Sequence, residues 1–83
     1  MANLAKKELD TRTFPEICSS LTQFEWLELK FKLLTALGKT EQTLLNWKSG
    51  KTYPNNLIER KEVSNIVNKF LDIRTNHLTL FRV

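Results

Sequence analysis

Eighty-three residues, 41% hydrophobic and 27% charged, suit one small globular domain with a single core and leave no room for a second lobe around a cleft. No apolar run approaches the length of a membrane-spanning helix, and the opening MANLAKKELD lacks the apolar stretch of a secretory signal, so a cytoplasmic setting without a membrane partner is expected. The net charge of +4 is unevenly placed: residues 1–37 carry five basic and five acidic side chains, residues 38–83 eight and four, an excess that suits a polyanionic partner but also occurs on proteins that bind none.

Residues 1–12 are polar, of mixed charge and without a clear period, and are expected to form a flexible amino-terminal arm; residues 13–83 then make up the folded domain. In TFPEICSSL, Thr13 can cap a helix with Glu16 three residues later, Pro15 falls in the first turn, and Phe14, Ile17, Cys18 and Leu21 share one apolar face. Leu27, Leu29, Phe31 and Leu33 alternate with charged residues as a strand would. The flanks favour a helix: Thr22 and Glu25 form a capping box, Leu21 and Trp26 a hydrophobic staple, and Glu28 and Lys32 an i,i+4 pair. Its apolar rows, Phe24, Leu27, Phe31, Leu34 and Trp26, Leu29, Leu33, Leu37, cover more than half the circumference, so packing on two sides is expected. Gly38 ends this helix and Thr40 caps the next, in which Leu44 and Trp47 face inward. Gly50 stops that helix, TYPNN forms a loop, and a fourth helix over roughly Leu57 to Leu71 presents Val63, Ile66, Val67 and Phe70 to the core. Ile73, Leu78, Leu80, Phe81 and Val83 are too apolar for a free tail and are expected to dock on the core or on a second copy of the chain.

The tripeptide Gly-Lys-Thr occurs twice, at 38–40 and 50–52, but neither copy is a nucleotide-binding loop, because Leu33 and Leu45 stand where such a loop has its first glycine. His77 is the only histidine and Cys18 the only cysteine, too few for a metal cluster or a histidine-based triad, and the carboxylates are scattered among lysines. A non-enzymatic protein without metal, cofactor or small-molecule ligand is therefore expected. A lone cysteine also excludes an intrachain disulfide.

The most specific pattern lies at about residues 27–50: a helix, a turn glycine at 38, and apolar residues six and nine positions later at Leu44 and Trp47, the spacing of a helix-turn-helix. With TLLNWKSGKTYP, the sequence resembles the lambda-repressor-like helix-turn-helix family of short phage and bacterial transcriptional regulators, over roughly residues 22–81. It departs from that family at Leu34, usually a small residue, and at Lys39, usually an apolar one. The resemblance implies an all-α fold, a small bundle of four to five helices containing the helix-turn-helix. It also implies a cytoplasmic, nucleoid-associated regulator that binds double-stranded DNA in sequence-specific fashion, commonly as a homodimer, with residues 41–49 in the major groove.

On that reading Gln42 and Asn46, one turn apart, face the bases, since a side-chain amide can bind adenine N6 and N7 together. Thr43 is placed to touch a thymine methyl or a phosphate, Glu41 to accept from cytosine N4 or simply to favour the helix dipole, and Leu45 to make an apolar contact with DNA or merely to border the core. Lys39, Thr40, Lys48, Ser49, Lys51 and Tyr53, near the two ends of this helix, would hold phosphates and set the register. The other reading of the same scaffold is a protein-interaction module.

Overall fold

Thr13, Thr22 and Thr40 each start a helix by the same local chemistry, a side-chain oxygen accepting from a backbone N–H three residues on. In the first two the bond is reciprocated: Glu16 accepts from the Thr13 N–H at 2.8 Å and Glu25 from the Thr22 N–H at 2.9 Å. The computed structural model describes residues 8–81. In chain order they form β1 (Leu9–Asp10), α1 (Phe14–Ser19), α2 (Gln23–Leu37), α3 (Glu41–Ser49), α4 (Leu57–Leu71), β2 (Arg74–Thr75) and α5 (His77–Leu80). The protein is thus mostly helical, with two short strands in addition. None of these helices is long and apolar enough to cross a membrane.

Gly38 and Gly50 close α2 and α3 in the left-handed conformation, at φ 68° and 82°. Asp72 does the same for α4 at φ 57°, a conformation that aspartate tolerates better than most residues. Asn56 caps α4, its side chain accepting from the Ile58 N–H at 2.7 Å.

The core is built from one or two turns of every helix: Phe14, Ile17 and Cys18 of α1, Trp26, Leu29 and Leu33 of α2, Leu44 and Trp47 of α3, Val63 and Val67 of α4, and Leu80 of α5 with Phe81 just beyond it. Phe81 ties α1 to α3, its ring 5.5 Å from that of Phe14 and edge-on to Trp47 at 6.3 Å. The apolar carboxy-terminal segment therefore docks on its own core at Leu80 and Phe81, while Val83 lies outside the described residues.

Two expectations are corrected by this packing, and a third, the core face of α4, holds with Val63 and Val67 buried and Ile66 and Phe70 packed partly buried against them. The first concerns α2, which is covered on one side only. Trp26, Leu29 and Leu33 are buried, but Phe24 and Phe31 of the other row are 73% and 70% exposed and Leu27 is 45% exposed. The reason is geometric: α3 and α4 both pack against the Leu29–Leu33 side, and among the described residues no further element lies over the other side of this 15-residue helix.

On α4 the buried face is rotated toward Ser64, and Ile66 and Phe70 are left half-buried. A polar knot draws it there. The Ser64 hydroxyl lies 2.8 Å from that of Thr75, and the Asn68 carboxamide oxygen accepts from the Thr75 N–H at 2.8 Å and from its hydroxyl at 2.7 Å. Lastly, the arm expected over residues 1–12 is held at its end: Leu9 and Asp10 pair in parallel with Arg74 and Thr75, an extended contact with no periodic signature. Residues 1–7 lie outside the described part.

Candidate functional site

Helix α3 is fixed from inside and open outside. Leu44 and Trp47 are almost wholly buried, so the helix cannot roll without emptying the core beneath it. At its start the Thr40 hydroxyl accepts from the Thr43 N–H at 3.2 Å and lies 2.9 Å from the Thr43 hydroxyl. At its end the Lys51 N–H donates to the Asn46 carbonyl at 2.9 Å and the Gly50 N–H to that of Trp47 at 3.1 Å, so little backbone is left unpaired there.

Glu41, Gln42, Leu45, Asn46 and Ser49 stand along the outward ridge, all exposed except half-buried Asn46. The Gln42 Nε2 donates to the Asn46 Oδ1 at 3.1 Å, so the two amides are held together with unused donors and acceptors turned outward. Glu41 forms an ion pair with Lys30 of α2. The Ser49 hydroxyl turns back to the Asn46 carbonyl at 3.1 Å. Thr43, expected among the base readers, lies on a flank instead, half-buried and engaged with the cap.

A cleft opens on each flank of α3. One, of about 650 Å³, runs between α3, the loop 50–56 and the start of α4; Lys39, Thr43, Tyr53, Asn55, Glu59 and Arg60 line it. The Lys39 ammonium pairs with Glu59 at 2.7 Å, and the Arg60 Nε donates to the Pro54 carbonyl at 2.6 Å. The other, of about 680 Å³, lies between the end of α1, the first half of α2 and Lys48 of α3, and Ser19, Thr22, Gln23, Trp26 and Lys30 border it. Here the Lys48 ammonium sits 4.7 Å from the centre of the Trp26 ring, a cation–π contact that fixes its position while leaving its charge in the cleft. Cys18 lies at this cleft's inner edge, buried, with its thiol pushed up to about 12 by desolvation against a smaller opposing effect of Lys48; it is a packing group rather than a nucleophile.

The expected phosphate ligands are thus divided. Lys39 and Tyr53 share the first cleft, with the Thr40 cap next to it. Lys48 is in the second, Ser49 is on the ridge, and Lys51 is exposed beyond the left-handed cap. Lys30 and Arg60 were not singled out in the sequence. Each lies on a helix other than α3, 11 and 19 residues from its first residue, and no local motif connects them to it. Leu34 is half-buried against the core, and Lys39 is tied to Glu59.

Among the described residues, no group of three or more His, Cys, Asp or Glu side chains is placed to hold a metal ion. Comparison of the chain with models of known protein families, with curated proteins and with solved structures returns no match.

Proposed function

We propose that this chain is a sequence-specific double-stranded-DNA-binding protein, a transcriptional regulator in which α2, the turn at Gly38 and α3 act as a helix-turn-helix and α3 enters the major groove. One observation carries the reading: a polar ridge bearing a coupled Gln42–Asn46 pair is flanked on both sides by clefts containing cations. A helix about 10–12 Å across fills a major groove about 12 Å wide, which sets its ridge against the base edges and its flanks against the two phosphate backbones. Gln42 and Asn46 read bases, with Leu45 beside them, while Glu41 is paired to Lys30 at the start of the helix. Lys39 and Arg60 serve one backbone, Lys30 and Lys48 the other, and Lys51 the end of the helix, with Thr40, Thr43, Ser49 and Tyr53 as neutral hydrogen-bonding groups.

The ion pairs Lys30–Glu41 and Lys39–Glu59 do not oppose this role. Glu41 is exposed and Lys30, Lys39 and Glu59 are half-buried, so each ammonium is within reach of solvent and a phosphate can take the place of its carboxylate. The reading assigns no catalysis and no cofactor. A homodimer would set two such ridges about 34 Å apart, on successive turns of a two-fold-symmetric site.

Fluorescence anisotropy with mixed-sequence duplex DNA tests the proposal. Five cations at phosphates predict a slope of log affinity against log salt of about −4.5, a loss of about 500-fold between 50 and 200 mM. Lys51→Ala weakens all duplexes alike, whereas Asn46→Ala costs roughly 1–3 kcal/mol on the preferred site alone. No binding at low salt sinks the reading. The alternative, a protein-interaction module, draws its support from the exposed Phe24, Leu27 and Phe31.

A further inference from the structure

The outward side of α2 has no place in the DNA contact. In helical projection Phe24, Glu28, Phe31 and Thr35 form its central row, with Leu27 on one edge and Lys32 on the other, opposite the buried Trp26, Leu29 and Leu33. Helix α3 lies along the Lys30 edge, as the Lys30–Glu41 pair fixes, and α4 lies along the Lys32 edge, where the Lys32 ammonium is 5.9 Å from the centre of the Phe70 ring. The central row therefore points away from both, and whatever covers it leaves the ridge of α3 open.

We propose that this face is the protein's self-association surface, on which a second copy packs its own α2 antiparallel about a two-fold axis. The area fits. Taking about 200 Å² for a whole phenylalanine side chain, Phe24 and Phe31 expose roughly 290 Å² of apolar surface per copy. That is close to the lower end of the roughly 300–600 Å² of the largest apolar patch on a typical monomer, and over a third of the roughly 800 Å² that each partner contributes to a standard interface. Leu27 and the stems of Glu28 and Lys32 enlarge it, and a groove of about 520 Å³ between Glu28, Lys32, Ile66, Lys69 and Phe70 continues it toward α4.

The charges select the occupant. The row and its edges hold one acid, Glu28, and one base, Lys32, so the row itself is electrically neutral, and the single further charge, Lys69 in the groove beside α4, offers a polyanion or an anionic membrane little attraction. In antiparallel pairing like edges meet with the chain direction reversed. A two-fold axis near residue 30 then sets Glu28 of each copy beside Lys32 of the other, with the phenylalanines interleaved between. A surface whose own acid answers its own base fits a second copy of itself.

The role of this contact on DNA rests on the dimeric reading above; the contact itself is tested without DNA. Sedimentation equilibrium of the full chain should show a reversible dimer that Phe31→Glu reduces to a monomer with an unchanged circular dichroism spectrum. Glu28→Lys alone and Lys32→Glu alone should each dissociate the dimer by like-charge contact, and an equimolar mixture of the two should reassociate, because every acid again meets a base. A monomeric wild type up to millimolar concentration overturns the proposal, as does a dimer indifferent to Phe31→Glu or a mixture that stays apart. A chain that dimerises through α2 yet binds no duplex supports this inference and sinks the DNA reading.

Discussion

Gly38 and Gly50 hold the same left-handed backbone, and at neither does space demand a glycine. A Cβ at Gly38 would meet nothing within 4 Å, and one at Gly50 would touch only the Pro15 ring at an ordinary 3.5 Å. Conformation alone accounts for the residue type. Gly38→Ala should therefore cost about 1–2 kcal/mol, the penalty of that conformation for an L side chain, and Gly38→Asn distinctly less, since asparagine enters the region readily. Urea denaturation of the pair checks this, and equal losses would point to a packing role instead. Such positions are legible in sequence because their physics is local. A cap or a left-handed stop is decided within four residues, so the threonines at 13, 22 and 40 and the glycines at 38 and 50 announce the helix ends on their own.

Between elements, that locality is lost. The apolar rows of α2 say that the helix is amphipathic; which row is covered depends on where α3 and α4 lie. Likewise α4 turns Ser64 inward and leaves Phe70 half-exposed because Thr75, 11 residues on, offers hydrogen bonds that only Ser64 and Asn68 can meet. The Lys30–Glu41 pair joins α2 to α3 at the rim of the candidate interface, and its removal separates stability from function. Glu41→Gln should change unfolding free energy by less than about 1 kcal/mol, as for other exposed pairs. It should also tighten binding to mixed-sequence duplex, because it removes a carboxylate from the ridge and releases Lys30 toward phosphate. Anisotropy and thermal unfolding of the same variant check both halves; weaker binding would place Glu41 among the base-reading groups.

Across the whole molecule, the two ends of the described chain meet. Leu9 and Asp10 pair with Arg74 and Thr75, and Arg12 grips the Asp10 carboxylate through Nε and Nη2 at 3.0 and 2.7 Å. The Arg12 side-chain hydrogen bonds hold the Asp10 carboxyl below its ordinary value of 3.8, outweighing a smaller desolvation effect in the other direction. A carboxyl lowered in the folded state stabilises it fully above 3.8 and loses that contribution as pH falls through the lowered folded value. Asp10→Asn should thus lower the melting temperature at pH 7 and match the parent at the acid end. A difference constant across pH would mean that only neutral hydrogen bonding is lost.

By itself the sequence determined the first four helices, the caps at Thr13, Thr22 and Thr40, the stops at Gly38 and Gly50, and the inward pair Leu44 and Trp47, since each depends on neighbours a turn or less away; α5 and the Asp72 stop of α4 were not read from it. The outward amides Gln42 and Asn46 were legible for the same reason. Only the tertiary structure decided which face of α2 is left bare, that Leu80 and Phe81 fill this chain's own core, and that Lys30 and Arg60 join the flanks of α3. Those outcomes depend on how rigid helices cross. A crossing brings together residues that the chain keeps far apart, and periodicity carries no trace of it.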